Sequence, residues 1–150
     1  VSDSQGLVGR RYELPEPYLV GREHVRAMAR ALFATNRIHL EVEAARAAGY
    51  ADVVAPTTFP AVLQDACMQL FLADPDAGIE LQNVVHGDEG FRYERPIVAG
   101  DELRAVLEIT SIKSLGGNSM IAADTVVTDA DGGHVVTATA TLVVRGEVAA

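Results

Sequence analysis

Tryptophan is absent, cysteine and lysine occur once each, and no apolar run approaches the roughly 20 residues needed to cross a bilayer. Each shortage closes a class of function. A single thiol, Cys67, forms no internal disulfide and fits a reducing compartment; its apolar neighbours mark it as a small buried hydrophobe. With 21 acidic residues against 12 basic ones the formal charge is −9. No basic run with interleaved aromatics exists, so neither a nucleic-acid groove nor attraction to an anionic membrane is expected. The first eighteen residues hold neither the apolar core nor the basic leader of a secretory signal, and the expected location is cytoplasmic. No spacing among the four histidines and Cys67 matches a zinc site. The glycine pair in "LGGN" lies between two strand-like segments with no helix following. No metal and no cofactor is expected.

What is present changes period halfway along the chain. At 150 residues the chain reads as one domain over 1–150, large enough to bury roughly 70% of its unfolded surface. Residues 22 to 33 place Val25, Met28, Ala29, Leu32 and Phe33 on one helical face, with Arg22, Arg26 and Arg30 on another. That arginine stripe reads as solvated rather than as a phosphate site. A short helix from Glu41 to Ala48 stops at Gly49. The segment "TTFPAVLQDACMQLFLADP" opens on two threonines able to cap and puts Pro60 in the first turn. Its apolar residues run nearly all round from Phe59 to Leu72, interrupted by Gln64, Asp65 and Gln69, so this helix should be buried on most sides. From residue 81 the chain becomes long segments rich in Val, Ile and Thr, joined by the hairpin signals "SLGGN" and "DADGG". The expected architecture is α+β: a curved antiparallel sheet around the helix from 58 to 72, with a short strand near Val8 to Leu14.

The order of elements and several strings resemble a known family. "TNRIHLEVEAARAAGYADVVAP", "VAPTTF", "VVHGD" and "FRYERPIVAGDEL" are similar to the MaoC-like hydratases and dehydratases of the hot-dog fold. The nearest likeness is to small actinobacterial proteins similar to subunits of (R)-3-hydroxyacyl-acyl-carrier-protein dehydratase. The resemblance covers about residues 7 to 145. It implies an acyl-CoA or acyl-carrier-protein thioester as substrate, and a homodimer or a heterodimer with another hot-dog subunit. In catalytic members the motif reads Asp-x-Asn-Pro-x-His. Here His39 and Asn36 match, Arg37 stands for the proline, and Ala34 stands for the aspartate.

Dehydration of a 3-hydroxyacyl thioester removes a proton at C2 and protonates the departing hydroxyl at C3. A carboxylate and an imidazole sharing one water do both. His39 supplies the imidazole and Asn36 an orienting amide, but Ala34 supplies no carboxylate. The thioester carbonyl also needs donors, expected from Thr57, Thr58 and Phe59 at the start of the buried helix. Glu41 and Glu43 flank His39 and read as first-turn carboxylates of the short helix. Secondary candidates are Asp65, a carboxylate on an otherwise apolar helix, and the pair His86 and Asp88, which share a face in a regular strand. His24 and His134 read as surface residues. Three readings stay open: a hydratase or dehydratase subunit with half a dyad, a thioesterase working through Asp65, and an acyl-binding protein without chemistry.

Overall fold

The computed structural model describes residues 6–145. Strands β1 (Arg11–Glu13) and β2 (Tyr18–Leu19) precede helix α1 (Arg22–Ala31). A 3-10 turn (Arg37–His39) and α2 (Val42–Ala47) lead to α3 (Pro60–Leu72). Four long strands follow: β3 (Val84–Tyr93), β4 (Glu102–Leu115), β5 (Asn118–Thr128) and β6 (His134–Arg145). The sheet is antiparallel, ordered β1-β4-β5-β6-β3, with β2 also on β4. Both glycine turns form as expected. Gly116 and Gly117 have φ of 60° and 78°, the two positive values a two-residue hairpin turn demands.

The alternation in β6 decides which face packs. Val136, Ala138, Ala140, Leu142 and Val144 are buried, while Thr139, Thr141 and Val143 are only partly covered. The buried row meets Phe59, Leu63, Cys67 and Phe71 of the α3 segment, together with Leu103, Leu107 and Ile109 of β4. The buried Cys67 thiol is pushed up to about 11 by desolvation, and its S–H donates to the Ala105 carbonyl at 3.6 Å. Cys67 is therefore a core residue.

Two local expectations fail for physical reasons. Leu32 and Phe33 do not extend the apolar face of α1, which ends at Ala31. Phe33 N–H donates to Arg30 and Ala34 N–H to Ala29, so the helix closes with Phe33 in the left-handed region at φ 54°. That turn throws the ring outward, 89% exposed. Thr57 and Thr58 do not cap α3 through their side chains. The backbone does it: Phe59 N–H donates to Pro56, and Ala61 N–H to Thr58.

Candidate active site

The loop ahead of α2 is built to hold His39 still. Asn36 Oδ1 accepts the Ile38 N–H at 3.2 Å and caps the 3-10 turn that carries the histidine. Arg37, where the resembling family has proline, forks onto Glu41 with Nε–Oε1 at 2.9 Å. Glu41 is thereby committed, and the arginine lowers its pKa. Glu43 faces Arg46 at 3.5 Å.

Two bonds weld this turn to the chain before α3. Val54 N–H donates to the Ile38 carbonyl at 3.0 Å, and His39 Nδ1 lies 2.6 Å from the Val54 carbonyl. A carbonyl only accepts, so Nδ1 carries a proton, and in the neutral ring Nε2 is then the basic nitrogen. The bond fixes the orientation of the ring.

His39 lines a cavity of about 470 Å³ whose apolar wall includes Ile38, Val54, Ala55 and Ile97. Its polar wall brings in Tyr50, Thr57, Tyr93, Glu94 and Arg95. Thr57 thus reaches the same cavity as His39. Thr58 is exposed and outside its wall, and Phe59 is fully buried with its N–H given to Pro56. Of the three donors expected at the start of α3, the Phe59 N–H is therefore unavailable. No hydrogen bond among the described residues takes the N–H of Thr57 or Thr58. Asn36 stays on the exposed side as a cap, outside the cavity wall.

Sequence reasoning missed Tyr93 and Glu94. Tyr93 O–H donates to the Thr57 carbonyl at 2.9 Å, pinning the turn before α3 to the end of β3. Burial pushes this phenol up to about 12, so it stays protonated at neutral pH. Glu94 is the only carboxylate among the described residues of the wall. Arg95 is occupied by Asp101, at 2.8 and 3.1 Å, and by Asp129 at 3.4 Å. It fixes the corner at Pro96 instead of offering a free cation.

The secondary candidates gather elsewhere, between α3 and β3. A smaller cavity of about 190 Å³ is lined by Gln64, Asp65, His86 and Glu89 over Ala61, Met68 and Leu142. His86 pairs with Glu89, its Nε2 lying 2.8 Å from Oε2, and the expected partner Asp88 contributes only its backbone carbonyl at 3.0 Å. The cause is a bulge at Gly87, which slips the pairing between His86 and Asp88 and breaks the regular alternation. Asp65 shares this cavity and also accepts from Gln69 at 3.4 Å. Desolvation, the largest effect, raises the Glu89 carboxyl above its ordinary value; His86 pulls it back and Asp88 adds a smaller push upward. Among the described residues no group of three or more His, Cys, Asp or Glu is placed to hold a metal ion, and no helix is long and apolar enough to cross a membrane.

Comparison with known proteins places this geometry. Residues 6–138 match the family model of the FAS1-like dehydratase domain region, and the chain belongs to that family. It is 57% identical over 141 residues to the UPF0336 protein of Leifsonia xyli, covering 94% of this chain and 95% of that one. A C-terminally truncated HadBC (3R-hydroxyacyl-ACP dehydratase) complex from Mycobacterium tuberculosis is similar at 32% identity and a TM-score of 0.84. That match covers 91% of this chain and 96% of the other. A MaoC-like dehydratase is similar at 37% identity and a TM-score of 0.87, over 95% of this chain and 43% of that longer one. The fold is α+β of the hot-dog type.

Proposed function

We propose that this member of the FAS1-like dehydratase family is an acyl-thioester-binding subunit carrying half of a dehydratase active site. The observation behind this reading is the state of His39. Its Nδ1–H is committed to Val54, its Nε2 is left basic, and the ring lines a cavity beside the Thr57 turn, while position 34 holds an alanine. The cavity suits the head of a 3-hydroxyacyl or trans-2-enoyl thioester carried by CoA or an acyl carrier protein. The Thr57 N–H, beside the same cavity, is the candidate donor for the thioester carbonyl as charge builds on it. His39 Nε2 moves one proton. The second proton requires an acid, and neither the Tyr93 phenol, held by Thr57, nor the exposed Asn36, nor Glu94, 65% exposed and facing His134 at 3.9 Å, replaces the missing carboxylate.

A second hot-dog chain with an intact Asp-x-Asn-Pro-x-His loop completes the function in this reading. Among the described residues strand β3 pairs only with β6, and its other edge is where a partner's strand would add. The setting is fatty-acyl metabolism in the cytoplasm. Co-purification with such a partner tests this. The mixed complex is expected to hydrate the double bond of trans-2-enoyl-CoA, and the chain alone to bind it without hydrating it. Autonomous hydration by the single chain contradicts the half-site reading.

A further inference from the structure

The bulge at Gly87 reassigns which residues face α3. His86 lies opposite Leu142; beyond the bulge Asp88 lies opposite Thr141 and Glu89 opposite Ala140. Residues directly opposite share a face. His86 and Glu89 therefore turn to the side of the buried Leu142 and Ala140, and Asp88 to the outer side with Thr141. A regular strand would have sent one of the pair outward.

On that inner side Glu89 is held twice. Gln64, 3% exposed on α3, has its amide end 2.5 and 2.8 Å from the two carboxylate oxygens, and hydrogen bonding there requires the nitrogen to face them. His86 Nε2 reaches Oε2 at 2.8 Å and the Asp88 carbonyl at 3.0 Å. Because that carbonyl only accepts, Nε2 carries a proton, and in the neutral ring Nδ1 is the basic nitrogen. No hydrogen bond among the described residues takes Nδ1. A carboxylate that orients an imidazole and stabilises its protonated form, with the far nitrogen left basic, is the arrangement of a general base. It lines the 190 Å³ cavity whose floor, Ala61, Met68 and Leu142, is apolar.

We propose that this cluster is a second acid–base centre, separate from His39, at which a short-chain acyl thioester is hydrolysed. The substrate class rests on the acyl-thioester reading given above. His86 Nδ1 takes a proton from water as the water oxygen bonds to the thioester carbonyl carbon. The C–S bond then breaks, the thiolate leaves with the proton returned by the imidazolium, and a carboxylic acid and a thiol result. Glu89 and Gln64 are positioning residues that hold the ring in its tautomer.

Thiol release from butyryl-CoA by the full chain tests the proposal. The wild type is expected to turn over, and His86→Ala to lower kcat on the order of 100-fold, with partial rescue by added imidazole. Glu89→Gln is expected to lower kcat while KM and the melting temperature hold. A parallel calorimetric titration with the thioether analogue of butyryl-CoA, which resists hydrolysis, separates the two claims. Binding without thiol release, or release that survives His86→Ala, overturns the second centre and leaves the His39 reading intact. No binding at all overturns both.

Discussion

His39 and Val54 meet ring to backbone: the Nδ1–H of one donates to the carbonyl of the other at 2.6 Å. The acceptor is main chain, so no side-chain substitution at position 54 removes it. The tautomer of His39 is therefore a property of how the 3-10 turn docks on the segment before α3. The Ile38–Val54 bond at 3.0 Å reinforces that docking. The ring is oriented, and position 34 holds an alanine where the resembling motif has aspartate.

The Tyr93 hydroxyl ties β3 to the turn that carries Thr57. Tyr93→Phe removes one hydrogen bond, worth about 1 kcal/mol. The melting temperature is expected to fall by about 2–4 °C. Acyl-thioester affinity, measured by calorimetry, is expected to fall in parallel because the Thr57 N–H loses its fixed direction. An unchanged affinity would remove Thr57 from the binding role.

Phe33 occupies a left-handed helix end that favours glycine, and its ring is 89% exposed. Little buried area is lost on its removal, while relief of the backbone is worth about 1 kcal/mol. Phe33→Gly is therefore expected to raise the melting temperature by about 2–4 °C. A fall would show that the exposed ring has a packing partner in solution.

Asp74, just beyond α3, accepts the Tyr12 hydroxyl at 2.8 Å, the Asp76 N–H at 2.9 Å and Arg10 at 3.0 Å. The tyrosine first, then the Asp76 N–H, holds its carboxyl below the ordinary 3.8. A carboxyl depressed in the folded state contributes stability above its unfolded pKa, and that contribution disappears as pH falls through the folded value. Melting temperature should therefore drop below about pH 4. Asp74→Asn is expected to make that drop shallower; an unchanged acid limb would exclude Asp74 from it.

The parts of this molecule governed by periodicity were legible in the sequence. The all-round apolar run at Phe59–Leu72 gives the buried helix, and the alternation in β6 gives the packed face. The resemblance carried by "TNRIH" leads to His39, which does line a cavity with Thr57. Local chemistry was harder. Asn36 reads as an orienting amide, whereas its Oδ1 is spent on Ile38 N–H as a turn cap. His86 and Asp88 share a face only in a regular strand, and the bulge at Gly87 breaks that regularity. A Cβ at Gly90 would sit 2.8 Å from Thr139 Oγ1, a closeness only the sheet register reveals. Tyr93 and Glu94 lie more than fifty residues from His39 and reach its cavity through the fold alone.

The missing carboxylate at position 34 is tested most directly by restoring it. Loss of enoyl absorbance from trans-2-enoyl-CoA should be followed for the purified wild type and for Ala34→Asp. The half-site account predicts no measurable hydration by the wild type alone and hydration by the variant, abolished again when His39→Ala is added. Hydration by the wild-type chain alone that disappears in His39→Ala would contradict it.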